Sequence, residues 1–350
     1  MKKKVLDLFC GCGGMSLGFE QAGFDISLGI DIWSPALKTF EKNHSNSNTV
    51  CGSLSEIHPS VIEKEYLANG IDVIIGGPPC QGFSISGKRD VNDPRNKLYQ
   101  SFVSYVDYFK PKAFVMENVP NLVSMNKGLV KNEIIKEFES IGYQVTYKIL
   151  MASDFGVPQN RKRVFFVGLL NANNIFSFPN ATHSEVKITA EEAISDLPEF
   201  ELENGSPYDV NYQSNYQKEI RYKSQGIYNH QITKHTDKTK ETIALVPDGG
   251  NYKSLPKELQ ETRKVNIAWT RLNSKKPSFT IDTGHRHHFH YKFNRIPTVR
   301  EAARIQSFPD NFIFQGTKTD QEKQVGNAVP PMLAQALANQ LIKEIGEYNV

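Results

Sequence analysis

A cysteine is delivered out of a rigid turn in Gly76-Gly77-Pro78-Pro79-Cys80-Gln81-Gly82-Phe83-Ser84, directly after the apolar run Ile71-Asp72-Val73-Ile74-Ile75. Two glycines permit a sharp bend, and two prolines hold φ near about −65°, so the next side chain is aimed with little conformational freedom. The reactive form is the thiolate, and an ordinary thiol titrating near ~8.5 needs an activating environment to supply it. The placement is that of a positioned nucleophile; a buried structural cysteine is the competing reading.

Three further groups could complete such a site. Asp7-Leu8-Phe9-Cys10-Gly11-Cys12-Gly13-Gly14 lies between a predicted strand and a predicted helix, where missing side chains let a ligand approach the backbone. Asp31 stands 17 residues after Gly14, at the end of the next strand, where a carboxylate can accept both hydroxyls of a ribose. The spacing is not G-x-G-x-x-G, so S-adenosylmethionine, which has no pyrophosphate to cradle, suits the loop better than a nicotinamide dinucleotide. Glu117-Asn118-Val119 puts a carboxyl at the same sheet edge as Cys80, where burial would raise its pKa and make it a proton donor. In Gln159-Asn160-Arg161-Lys162-Arg163, two arginines at period two point the same way if the segment is extended, matching a phosphate or a base carbonyl. No metal is expected: Cys10-x-Cys12 lacks zinc-ribbon spacing, and His285, His287, His288 and His290 have no cysteine partner nearby.

The elements that must position these groups read as an α/β fold with a doubly wound, mostly parallel sheet. Strands are predicted over 5–9, 24–30, 71–75, 113–116, 144–150 and 164–169, with helices over 15–22, from Ser34-Pro35 onward, and over 97–109 and 130–140. From about 175 to 295 the periodicity fades, which predicts either a long insertion or, as expected here, a second, smaller and irregular domain. A helix over 330–347, apolar at Met332, Leu333, Ala336, Leu337, Leu341 and Ile345, should return to the sheet. The expected division is 1–174 completed by 323–350, and 175–322. Across 350 residues the net charge is only +3, but 181–210 carries eight acids and one lysine, whereas 261–300 carries nine Lys or Arg and two acids among aromatics. The latter is a footprint for a polyanion such as nucleic acid. Four cysteines, all in the first quarter, rule out a disulfide framework, and no apolar run approaches the roughly 18 residues of a membrane span. A cytoplasmic location is expected.

Taken together, and in order, these residues resemble the DNA (cytosine-5)-methyltransferases, above all those of bacterial restriction–modification systems. The resemblance runs through Phe-x-Gly-x-Gly-Gly at 9–14, Pro-Pro-Cys-Gln at 78–81, Asp93-Pro94-Arg95 with Leu98, Glu117-Asn118-Val119 and Gln159-x-Arg161-x-Arg163. It continues through Arg300-Glu301-Ala302-Ala303-Arg304-Ile305-Gln306-Ser307-Phe308-Pro309 and Gly326-Asn327-Ala328-Val329-Pro330. It implies a Rossmann-like methyltransferase domain in which Cys80 attacks carbon 6 of a flipped cytosine and Glu117 serves ring nitrogen 3. Arg163 would hold the ring carbonyl, and Arg161 would support the loop or a phosphate. S-adenosylmethionine would be held by Phe9, Gly11, Gly13, Gly14, Asp31, Ile32, Ser53, Leu54, Pro78, Leu98, Asn327 and Val329.

Two positions depart from the family. Ser53 stands where an aspartate usually accepts from the adenine amino group, and Asn96 where glycine is usual. The resemblance further implies contacts to duplex DNA from Gln81, Ser84, Lys88 and Arg89 in a closing loop, and from Arg271 and Arg286 in a target-recognition domain. A monomer is expected, paired functionally with a restriction endonuclease. Competing readings are a transfer RNA methyltransferase of the same family, an amino-methyltransferase, which would carry an aromatic where Cys80 stands, and a silent DNA-binding module.

Overall fold

The computed structural model describes residues 2–68, 70–79, 94–172, 174–263, 269–284 and 288–346. Two compact units emerge: Met1–Met151, Lys162–Asn180 and Pro331–Val350 form the first, and Ala152–Arg161 with Ala181–Pro330 the second. The divisions at 180/181 and 330/331 lie a few residues beyond the expected 174/175 and 322/323. Ala152–Arg161 joins the second unit because its backbone bonds there: Asn160 N–H donates to Ser278 O at 2.7 Å and Ser278 N–H to Pro158 O at 2.9 Å.

In the first unit, β1 (Lys4–Leu8), β2 (Asp25–Asp31), β3 (Asn48–Cys51), β4 (Val73–Gly76), β5 (Ala113–Asn118), β6 (Tyr143–Met151) and β7 (Lys162–Leu170) form one sheet in the order β3-β2-β1-β4-β5-β7-β6. The first five strands pair in parallel; β7 runs antiparallel to both β5 and β6. The doubly wound, mostly parallel sheet is therefore as expected. The helices between strands are α1 (Gly14–Gln21), α2 (Ser34–Asn43), α3 (Pro59–Tyr66), α4 (Pro94–Phe109) and α5 (Leu129–Ser140). Helices cover the centre of the sheet, so a central strand such as β4 is a continuous apolar run: Val73, Ile74 and Ile75 are fully buried. An aromatic cluster seals α4 and α5 onto β5, with Phe114 stacked on Phe138 at 4.0 Å and Phe102 edge-on to both at 6.2 Å.

The second unit is built from short helices, α6 (Ala190–Ile194), α7 (Asn215–Arg221), α8 (Asp237–Ala244), α9 (Lys257–Arg263), α10 (Val299–Ile305) and α11 (Lys318–Asn327), with a two-stranded parallel ribbon of β8 (Thr270–Arg271) and β9 (His288–Phe289). Capping boxes start α6, α10 and α11. Buried charge organises the unit around α10. Arg304 forks onto Asp310 at 2.9 and 2.7 Å and also pairs with Asp196; Arg295 forks onto Glu301 at 2.8 Å through both nitrogens. Burial alone would raise the Asp310 carboxyl, but Arg304 and Arg300 beside it outweigh burial and hold it below the usual range. Arg304→Met would leave two buried carboxylates short of a cation, and should cost roughly 3–5 kcal/mol in urea unfolding. Returning to the first unit, α12 (Pro331–Gly346) lies so close to α1 that a Cβ on Gly18 would sit 2.5 Å from the Pro331 carbonyl.

His290 gives the second unit a pH signature. Its Nδ1 accepts from Lys292 N–H at 3.0 Å and Phe293 N–H at 3.1 Å, and burial pushes the imidazole down to about 4 against the pull of Glu301. Between pH ~6.5 and 4 the unfolded chain binds a proton that the folded one refuses, so this stability is lost as pH falls. Buried Asp7, pushed up to about 8, acts with the opposite sign over much of the same range. The measurement is therefore the difference between wild type and His290→Asn in urea unfolding. That difference should shrink by roughly 2 kcal/mol between pH 6.5 and 5.

Candidate active site

Parallel register brings four strand ends to one edge: Leu8 pairs with Ile30 and with Gly76, and Gly76 with Met116. Beyond β4 the chain runs through Gly77, Pro78 and Pro79. Asn118, buried at the end of β5, donates Nδ2–H to Pro78 O at 2.9 Å and accepts from Val119 N–H at 2.9 Å, so the proline turn is tied to the neighbouring strand. The amide belongs to the Glu-Asn-Val triplet, whose sequence gives no sign of this tie.

Glu117 faces Phe165 across the β5–β7 ladder, and Arg163 projects from the same face two residues away. The Glu117 Oε1 to Arg163 Nε distance is 2.8 Å. A Cβ on Gly77 would lie 3.0 Å from Glu117 Oε2, so glycine there admits the carboxylate to the edge of the turn. Arg163 Nη1 donates to Lys162 O at 2.8 Å, and Nη2 has no partner among the described residues. The carboxyl expected at the sheet edge at 117 is one half of an ion pair with Arg163.

The second arm of the site is the loop after β1. Phe9, Gly11 and Gly13 have φ of 60°, 54° and 90°, the left-handed region. Gly11 N–H and Trp33 N–H each donate to the Asp31 carboxylate at 2.8 Å, so Asp31 ties the loop to β2. Burial pushes the Asp31 carboxyl up while the amides of Trp33, Gly11 and Ile32 pull it down. A Cβ on Gly11 would meet nothing within 4 Å among the described residues, and Ile32 beside Asp31 is an apolar side chain 71% exposed. Ser53 Oγ pairs with Ser55 Oγ at 2.8 Å. Below the loop, Ser16 Oγ–H donates to Asp7 at 2.6 Å. Burial pushes the Cys12 thiol up to about 12 and the Cys10 thiol well above its ordinary value, which suits packing and not nucleophilic work. Among the described residues no cluster of His, Cys, Asp and Glu could hold a metal.

Several expected site residues turn out otherwise. Leu54 is in the hydrophobic core, so only its backbone could meet a ligand. Arg161 does not accompany Arg163. It is fully buried in the second unit, donating Nη2–H to Gly326 O at 2.9 Å and Nη1–H to Ile281 O at 3.4 Å, so it caps the carboxyl end of α11 as a cation at a helix C-terminus. Arg161 and Arg163 do not share one extended face because β7 begins only at Lys162, and Arg161 N–H turns back onto Gln159 O at 3.0 Å.

Arg271, expected at DNA, is buried with all five N–H groups spent on Val246 O, His290 O, Phe293 O, Ile243 O and Asn294 Oδ1. It has no donor left for a phosphate. Arg295 and Arg300 are likewise buried, so the charge excess over 261–300 overstated the basic surface. Leu98 is partly buried on α4; Asn327, exposed, and Val329, buried, belong to the second unit. Cys80, Gln81, Ser84, Lys88, Arg89 and Arg286 lie outside the described residues.

Residues 3–343 match the model of a family described as C-5 cytosine-specific DNA methylase. Type II methyltransferase M.DdeI of Desulfomicrobium norvegicum is 39% identical over 96% of this chain and 88% of its own length. Type II methyltransferase M1.HphI of Haemophilus parahaemolyticus is 38% identical over 98% and 87%. Among solved structures, a prophage-encoded E. coli protein described as a DNA modification methyltransferase superposes with a TM-score of 0.80 at 27% identity, covering 99% of this chain and all of that one. The S. pombe Dnmt2 methyltransferase shares the fold, with a TM-score of 0.63 at 16% identity over 98% of this chain and 99% of its own.

Proposed function

The chain belongs to the C-5 cytosine-specific DNA methylase family, and from that premise we propose that it methylates carbon 5 of a flipped cytosine in a short duplex sequence, through Cys80, within a type II restriction–modification system. The observation that carries this reading is the Glu117–Arg163 pair, set at 2.8 Å beside the Gly77-Pro78-Pro79 turn that leads to Cys80. Carbon 5 of cytosine is a poor nucleophile. Attack of the Cys80 thiolate on carbon 6 makes the ring electron-rich, with charge accumulating on nitrogen 3 and the ring carbonyl. Glu117 serves nitrogen 3, and the open Nη2 of Arg163 serves the carbonyl. Loss of the carbon 5 proton and departure of Cys80 restore the aromatic ring after transfer.

The loop fits S-adenosylmethionine: open space over Gly11, a carboxylate at Asp31 for the ribose, and exposed Ile32 for the adenine. When bound, that cofactor supplies the electrophilic methyl group. Phe9, Gly13, Gly14, Ser53, Pro78 and Leu98 complete this wall of the site, and Ser53 offers the adenine amino group an uncharged acceptor, which predicts modest affinity. The second unit reads the target sequence; flipping costs a few kcal/mol, offset by contacts to the duplex. We place the enzyme in the bacterial cytoplasm as a monomer. The described residues include no helix long and apolar enough to cross a membrane.

The test is base-resolution mapping of 5-methylcytosine in DNA from a methylation-deficient bacterium expressing the protein. Modification at one short recurrent sequence is the expected result. Unmodified DNA beside modified transfer RNA would overturn the substrate, and neither modified would overturn the activity.

A further inference from the structure

We infer that Glu20 and His44 are positioning residues for the glycine-rich loop, setting its pitch from the side opposite the one a ligand approaches. This rests on the proposal that the cofactor lies over Gly11. The two loop glycines answer different surroundings. Gly11 has open space where a Cβ would be; a Cβ on Gly13 would collide with His44 Nε2 and lie 2.8 Å from His44 Cδ2 and 2.9 Å from Phe40 Cδ2. The space at Gly13 is thus filled by the edge of an imidazole. Gly13 is also the N-cap of α1, with φ 90°, accepting from Leu17 N–H at 2.8 Å and donating to Cys10 O at 2.9 Å, so the imidazole bears on the joint between loop and helix.

His44 has little freedom to yield. Its side chain is fully buried, its ring lies 4.3 Å from that of Phe40, and its Nδ1 is 2.7 Å from Glu20 Oε2. Glu20 is on α1, the helix that the loop opens, so the support closes on itself from loop to α1 to Glu20 to His44 and back to the loop. Phe40 extends it to β2: a Cβ on Gly29 would lie 2.7 Å from Phe40 Cζ and 3.0 Å from Cys10 Sγ. Asp31 holds the front of the loop through the Gly11 amide, and the Glu20–His44 pair holds the back. Neither residue of the pair meets a reacting atom. Their removal would tilt Gly11 and Phe9, and the loss would fall on cofactor affinity, not on the chemical step.

The experiment uses the full-length enzyme and calorimetric binding of S-adenosylhomocysteine, beside steady-state kinetics and thermal melts. His44→Ala should raise Kd for S-adenosylhomocysteine and KM for S-adenosylmethionine about tenfold, with kcat held within about twofold. Glu20→Gln, which keeps a hydrogen-bond partner for Nδ1, should stay within about threefold of wild type, and adding Glu20→Ala to His44→Ala should cost little more. Should His44→Ala fail to fold, Glu20→Ala alone, a change at a partly exposed side chain, should raise Kd roughly fivefold. An unchanged Kd with only a lowered melting temperature, or a fall in kcat at unchanged Kd, overturns the inference. Asp31→Ala separates the two levels: if it too leaves Kd unchanged, the cofactor is not at this loop, whereas a weakened Asp31→Ala beside an unaffected His44→Ala removes only the positioning role.

Discussion

Cys80→Ser is expected to bind its duplex as tightly as wild type and to transfer no measurable methyl group, a loss on the order of 10⁴-fold or more. The substitution removes one sulfur and keeps the turn, because the geometry there is set by Gly77, Pro78 and Pro79 and by the Asn118 amide 2.9 Å from Pro78 O. A serine hydroxyl is almost wholly protonated at neutral pH and a weak nucleophile without an adjacent base. Single-turnover transfer beside a gel-shift titration measures both halves of the prediction. A duplex carrying 5-fluorocytosine, whose carbon 5 has no proton to lose, should trap wild type covalently and leave Cys80→Ser free. Turnover in the serine variant would sink the nucleophile assignment.

Glu117→Gln should lower kcat by roughly 10²–10⁴ with little change in cofactor affinity. Glutamine is nearly isosteric, so it still fits against Gly77, where a Cβ would come within 3.0 Å of the carboxylate, and can still accept from Arg163 Nε. What it loses is charge and the capacity to pass a proton. The experiment thus isolates the service to nitrogen 3 from the holding of Arg163. If kcat were unchanged, Glu117 would be an anchor for the guanidinium and nothing more. Arg163→Met should then fall further than Glu117→Gln, since it removes the guanidinium proposed to serve the ring carbonyl.

The central sheet was legible because buried parallel strands are short apolar runs between turn residues, as in Ile71-Asp72-Val73-Ile74-Ile75. Two elements escaped that logic. β3 is only Asn48–Cys51, a sheet edge with a single aliphatic residue, and α3 is capped by His58, whose ring accepts from Ser60 N–H, outside the usual capping set. In the second unit, helices of five to ten residues carry too few turns for a periodic pattern to rise above noise. Their positions follow from buried ion pairs such as Arg304 with Asp196, residues far apart in the chain.

The sequence by itself determined which side chains are candidates for chemistry, since a thiol after two prolines, a carboxylate after a strand and glycines in a loop are recognised by their own type and immediate neighbours. The tertiary structure decided how each charge is used. Arg161 and Arg163 are two residues apart and look equivalent, yet Arg163 meets Glu117 while Arg161 caps a helix end at Gly326, 165 residues on. Arg271 looked like a phosphate ligand and spends every donor on carbonyl and amide oxygens of its own unit. Whether a guanidinium faces solvent, a carboxylate or buried carbonyls depends on which distant segments the fold brings to it, and that distance is not written in local spacing.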